Sequence, residues 1–259
     1  MKFFIKKLTY LHFLVFQLIL STGLCAQEED YDEEHIESSL PNFSNFNINL
    51  EFYQFNGNEK ALYLVANGII EFGNSDYLEV ELSSAYYTRN GDEQYTLGDF
   101  NFAYSKNFYS KSYLSSGFQG ITPAVKVIIP TGNPDYSGLF GYWIAEPSLY
   151  YSWLLKNEKL FFSNRWRAFL PGIQAKDASK PPVLIRFEPR FGYENKHFWT
   201  SITLDNRYIL NQGEYVLFFR LDGGYKLNKK SGLSFFYTER IYNNVLFKRY
   251  TGLSFYYIF

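Results

Sequence analysis

The chain has 259 residues, 46% hydrophobic and 20% charged, with a formal net charge of -1 at pH 7. That balance excludes a disordered tail and a strongly basic nucleic-acid binder, and outside the N-terminus no apolar run reaches the roughly 18 residues of a transmembrane helix. An aromatic share of 21%, from 24 Tyr, 27 Phe and 4 Trp, accompanies a mean hydropathy of -0.25, which points to rings facing something other than water, as at membrane interfaces. An all-β transmembrane barrel fits this composition better than a soluble sandwich.

Lys2, Lys6 and Lys7 precede a mostly apolar stretch from Leu8 to Leu20 and then Ser21-Thr22-Gly23-Leu24-Cys25-Ala26. This three-part pattern predicts a secretory signal peptide over residues 1–26. Cleavage before Gln27 removes His12 and Cys25, the single cysteine, and leaves a mature chain without a disulfide or thiolate site. Lipidation of Cys25 is the alternative, but bulky Leu24 stands where such a site has Gly or Ala. Of the eleven residues Gln27–Glu37, seven are acidic. Residues 27–43 therefore form an acidic flexible leader, which lacks the D-x-D-x-D-G spacing of a calcium loop. From Ser38 onward 22 basic residues stand against 19 acidic ones, close to neutrality.

Phe46, Ile48, Leu50 and Phe52 then occupy every second position, the mark of a strand with two unlike faces. The alternation continues to Phe259 between clusters of turn-forming residues. It predicts strands at 44–56, 60–72, 76–89, 94–108, 113–130, 142–155, 159–171, 183–193, 197–210, 215–227, 233–242 and 245–259. Twelve strands, an even number, put both chain ends on the periplasmic side of an antiparallel up-and-down barrel over 44–259. Connections after even strands, such as Lys156-Asn157-Glu158, are short, and the two longest, Thr131–Gly141 and Gly172–Pro182, follow odd strands, as periplasmic turns and outer loops do. In the last strand Leu253, Phe255, Tyr257 and Phe259 share one face. Such a ladder ending on Phe resembles the signal by which outer-membrane barrels are recognised, so the expected partners are outer-membrane lipid and the barrel assembly machinery, in a Gram-negative outer membrane.

With the apolar face outside, the lumen collects Glu51, Glu71, Glu79, Glu81, Asp99, Glu146, Glu188, Asp205 and Asp222, and also Lys126, Arg165, Arg167, Arg186, Arg190, Arg207, Arg220, Arg240 and Lys248. A lipid-facing Arg or Lys costs about 2–4 kcal/mol at mid-bilayer, which enforces this sorting. Acids dominate strands one to four and arginines strands seven to nine. Either the two signs pair across a narrow, filled lumen, or they line a hydrated constriction whose transverse field orients solutes. The loop Thr131–Gly141 carries Tyr136 and Phe140. It is either an ordinary exposed hairpin loop or a lid that folds inward.

Gly98-Asp99, the run Pro123 to Asn133 that includes Pro130-Thr131-Gly132, then Gly138 and Pro147 resemble outer-membrane transporter barrels of the phenol meta-pathway degradation-like family. The match lies chiefly in residues 95–170. It implies uptake of aromatic or other hydrophobic compounds, as passive passage of small organic solutes; twelve-strand nucleoside channels are a vaguer likeness, and the Ala26-Gln27 junction with the high Tyr and Phe content resembles exported Bacteroidetes proteins. The competing readings are a closed structural or interaction barrel and a lipid-modifying barrel enzyme. The last needs a nucleophile activated by a base, and the mature chain has only His35 in the leader and His197 at a predicted periplasmic turn. No phosphate loop, dinucleotide fingerprint or zinc spacing occurs, so neither cofactor nor metal is expected, and Gly223-Gly224 reads as relief of crowding within a strand.

Because Phe259 heads the outward ladder while the leader forms no strand, Phe259→Ser is expected to lower the yield of heat-modifiable, folded barrel more than deletion of residues 27–37. Comparing boiled and unboiled migration of both variants checks this.

Overall fold

The computed structural model describes residues 42–72, 75–109, 117–136, 139–155, 159–243 and 246–258. The signal peptide, the leader up to residue 41, Cys25, His35, the turn 156–158 and Phe259 lie outside the described residues. The alternating segments form β1 (Asn42–Gln54), β2 (Lys60–Phe72), β3 (Asp76–Arg89), β4 (Asp92–Leu97), β5 (Phe100–Lys106), β6 (Phe108–Tyr109), β7 (Phe118–Ile129), β8 (Tyr142–Leu154), β9 (Leu160–Gln174), β10 (Leu184–Glu194), β11 (Phe198–Ile209), β12 (Glu214–Lys226), β13 (Ser231–Tyr242) and β14 (Arg249–Tyr257). Each stave pairs antiparallel with its neighbours in the chain, and β1 closes the ring on β14 from Phe46 opposite Tyr257 to Gln54 opposite Arg249. Since β4, β5 and β6 are successive pieces of one stave, the result is a closed barrel of twelve staves. Closure leaves few free sheet edges. The end carrying Asn42 and Tyr257 is called the terminal end below, and the opposite one the distal end.

The second and third strands match their predicted bounds. The other staves shift at their ends by up to a few residues, and three differences bear on the lumen or the leader. β1 starts at Asn42, so the last two residues assigned to the leader are strand. The fourth stave breaks at Gly98-Asp99 and again at Asn107, and β4 pairs with β3 alone. The last stave begins at Arg249 rather than near 245, because the preceding turn bends into the barrel: Arg240 Nη1 donates to Asn56 Oδ1 at 2.9 Å and to the carbonyls of Leu246 at 3.1 Å and Phe247 at 3.3 Å.

Register and burial separate the two faces of every strand. Leu50, Leu62, Leu82, Val125, Leu149, Ile202 and Leu253 stand exposed on the outside, a band that water would not favour and lipid would. Outward rings pair toward the terminal end, with Phe118 and Trp153 centroids at 5.2 Å and Tyr193 and Phe198 at 5.7 Å, and toward the distal end, with Tyr215 and Tyr242 at 5.8 Å. Trp166 and Phe187, at 4.4 Å, lie between them. Polar outward groups are tied down locally: Asn206 accepts from the Tyr215 hydroxyl at 2.6 Å and donates to the Phe187 and Leu204 carbonyls, each at 3.0 Å. An apolar surrounding demands such pairing. Leu253, Phe255 and Tyr257 lie on this outer face of β14.

Two inward rings lie flat against the wall because glycine faces them. A Cβ on Gly192 would meet Phe161 Cζ at 2.2 Å, and one on Gly224 would meet Trp199 Nε1 at 2.4 Å, whereas one on outward Gly68 would meet nothing within 4 Å. Gly224→Val is therefore expected to lower stability by about 1–3 kcal/mol through overpacking, and Gly68→Val to leave it nearly unchanged. Denaturant midpoints of the folded barrels check the contrast.

Candidate functional site in the barrel lumen

At the distal end the inward positions turn apolar. Ile128, Tyr142, Ile144, Phe169, Leu184, Ile209, Val216 and Phe218 form one cluster, and Phe55, Ala61, Tyr63, Val65, Ala85, Tyr87 and Leu139 another on the facing wall. Phe247 packs against both. Its ring stacks on Phe218 at 4.6 Å and meets Tyr53 edge-on at 5.9 Å and Tyr250 at 5.0 Å. The alternation alone extended the last strand over Phe247; its role depends on the inward bend of the turn. An apolar space of about 500 Å³ remains around Phe55, Phe140, Phe169, Leu184 and Phe247, floored by Glu146, Arg186 and Arg207.

The described residues of the 130–141 loop fold into this mouth. Tyr136 lies 4.6 Å from the Tyr87 ring and donates to Gln94, while Phe140 lies 5.2 Å from Phe169. Asp99 holds the loop: Oδ1 accepts from Gly132 N at 2.9 Å and Oδ2 from Phe140 N at 2.7 Å, and Thr131 Oγ1 donates to the Gly98 carbonyl at 2.7 Å. A Cβ on Gly132 would lie 3.0 Å from Asp99 Oδ1, and one on Gly98 only 1.8 Å from Ser83 Oγ, so at both positions a side chain would force its neighbours to shift. Asp99 is buried and engaged by backbone, a loop anchor beside the mouth. Arg240 anchors the other inward turn, and Lys248 is exposed near it.

The middle of the barrel is charged. Arg167 binds Glu188 on β10 through Nη2 at 2.6 Å and Glu146 on β8 through Nη1 at 3.1 Å. Arg186 reaches Glu188 at 2.9 Å and Asp205 at 2.7 Å; Arg207 reaches Asp205 at 2.5 Å, and Arg220 reaches Asp222 at 2.6 Å. These pairs run along one wall, between adjacent strands or within a strand, and not across the lumen. The facing wall carries acids held by neutral donors. Tyr53 donates to Glu51 at 2.9 Å, Tyr77 to Glu71 at 3.1 Å, Asn67 to Glu79 and Asn101 to Glu81, with Lys126 at 3.8 Å from Glu81 as the nearest cation. A cavity of about 610 Å³ separates the walls and is lined by Glu51 and Glu81 on one side and by Arg165, Arg190, Arg207 and Arg220 on the other. Two further spaces, of about 590 and 860 Å³, continue it toward the terminal end, where His197 lies in the lining of the larger.

The charge ladder sets a stability test. Arg186→Met removes one of the two arginine partners of each of Glu188 and Asp205, leaving Arg167 and Arg207, and is expected to cost about 1.5–3 kcal/mol, as loss of a hydrogen bond to a charged group does; Arg165→Met, which breaks no ion pair among the described residues, is expected to cost far less. Denaturation of the two refolded variants measures the difference.

No family model and no curated protein matches the chain. Among solved structures it is similar to an outer-membrane channel from Pseudomonas putida F1, with 13% identity and a TM-score of 0.65 over 90% of this chain and 100% of that one. It is also similar to the NanC porin (12% identity, TM-score 0.55, 83% and 98% covered) and to the KdgM porin (14%, 0.53, 82% and 99%), the latter also solved with a disordered oligogalacturonate. At these identities the likeness is one of fold, and the fold is that of the outer-membrane β-barrels.

Proposed function

We propose that this protein is an outer-membrane channel for passive passage of small polar or charged organic solutes, with its terminal end toward the periplasm and its distal end outside. The observation that carries the reading is the direction of the ion pairs. Because Arg167, Arg186, Arg207 and Arg220 are neutralised along their own wall, the facing acids are not drawn across, and about 610 Å³ stays open between them. Six guanidiniums stand against four carboxylates on the arginine wall, namely Arg165, Arg167, Arg186, Arg190, Arg207 and Arg220 against Glu146, Glu188, Asp205 and Asp222. A transverse field of this kind selects and orients ionic solutes. The outer apolar band and the fold of known channels support the membrane setting, and the family resemblance supports small organic, including aromatic, solutes.

The apolar contacts of Phe247 with both walls favour a second reading, a barrel closed at its distal end. Planar-bilayer recording separates the two. A channel is expected to pass steady ohmic current, Phe247→Ser to raise its conductance or open time, and Arg165→Glu to move the reversal potential in a salt gradient toward cation selectivity. Silence across many insertions of the wild type and of Phe247→Ser overturns the channel in favour of the closed barrel.

A further inference from the structure

Two arginines in the middle of the lumen stand outside the ion-pair ladder. Arg165 makes no hydrogen bond and no ion pair among the described residues, although Glu188 is its register partner on β10. The reason is competition: Glu188 Oε1 accepts from Arg167 Nη2 at 2.6 Å and Arg186 Nη2 at 2.9 Å, and Oε2 from Arg167 Nε at 2.6 Å. Arg190 likewise has no acid among the described residues. Its Nε donates to Ser201 Oγ at 2.8 Å, and its guanidinium lies 5.4 Å from the Phe161 centroid and 5.5 Å from that of Trp199. Gly192 and Gly224, by leaving room for those two rings, hold the cation in place.

Ser163 is the register partner of Arg190, so Arg165 and Arg190 are diagonal neighbours across the β9–β10 pair, about 7–8 Å apart. Both line the central cavity, and Tyr150 stands opposite Arg165 on β8 with its side chain in the adjoining spaces. These are the two charges by which the arginine wall exceeds its carboxylates. A guanidinium removed from bulk water and left without a counter-charge is unfavourable, and its planar fork matches a carboxylate bidentately. Resting on the channel reading, we infer that Arg165 and Arg190 form a binding subsite for the carboxylate of a small planar organic acid, whose flat body lies among Tyr150, Phe161 and Trp199. The subsite makes passage of such acids saturable, whereas solutes without the carboxylate pass unretained.

The test is calorimetric titration of the purified, detergent-solubilised barrel with benzoate, with benzyl alcohol and inorganic phosphate as comparison probes. Benzoate is expected to bind the wild type, to bind Arg165→Met and Arg190→Met about tenfold more weakly each, as loss of one charge-assisted contact implies, and to regain affinity in Arg165→Lys. Heat-modifiable migration of every variant shows that it is folded. Absence of benzoate binding, wild-type affinity in both Met variants, or equal binding of benzyl alcohol overturns the carboxylate subsite. Phosphate binding as tight as benzoate overturns the planar-acid assignment. Conductance in potassium chloride alone is recorded on the same preparation: a silent barrel that binds benzoate overturns the channel and keeps the subsite, and a conducting barrel that does not bind it overturns the subsite alone.

Discussion

Closure of the hydrogen-bonded ring between β1 and β14 is the constraint on which the rest depends. Once the register from Phe46–Tyr257 to Gln54–Arg249 is set, period-two alternation assigns every strand residue to the outer surface or the lumen, and a slip of one residue would exchange the two. Leu50 and Leu253 are outward and Glu51 and Gly252 inward through that single choice. The glycines facing Phe161 and Trp199 belong to the same logic, since these two inward rings lie over register partners that have no side chain.

Inside, the electrostatics follow from strand adjacency. Arginine and carboxylate at neighbouring inward positions of β8 to β12 neutralise one another over 2.5–3.1 Å, so the wall carries its own counter-charges. A lumen filled by cross-barrel pairs would need the acids of β1 to β3 to reach the arginines. They are engaged instead by Tyr53, Tyr77, Asn67 and Asn101, neutral donors on the same or the adjacent strand. The charged middle therefore stays divided while the apolar distal end is drawn together, because Phe247 can bury its ring only by touching both walls.

The Gly98-Asp99 and Pro130-Thr131-Gly132 segments, which carry the family resemblance, meet in space. The break in the fourth stave frees the Asp99 carboxylate to cap the backbone of the loop that fills the adjoining mouth. Of the two amides that donate to this carboxylate, one belongs to Phe140 and one to Gly132, where an added Cβ would crowd Asp99 Oδ1 at 3.0 Å. A carboxylate that alternation groups with the lumen charges thus holds a loop.

Much of this architecture was legible in the residues. Period-two patterning is a local property, and it marked the twelve staves, both faces and even the ends of β2 and β3. The inward placement of Glu51, Glu81, Arg165, Arg186 and Arg207 followed from the same parity, because a pleated strand offers a side chain only two directions. Parity carries no information about distance across the ring. Whether Arg186 meets an acid beside it or opposite it, whether Tyr136 and Phe140 lie over the mouth or in it, and whether residue 247 extends a strand or fills the lumen depend on barrel diameter, stagger and the competition of several donors for one carboxylate. Those are properties of the closed ring, and only the tertiary structure sets them.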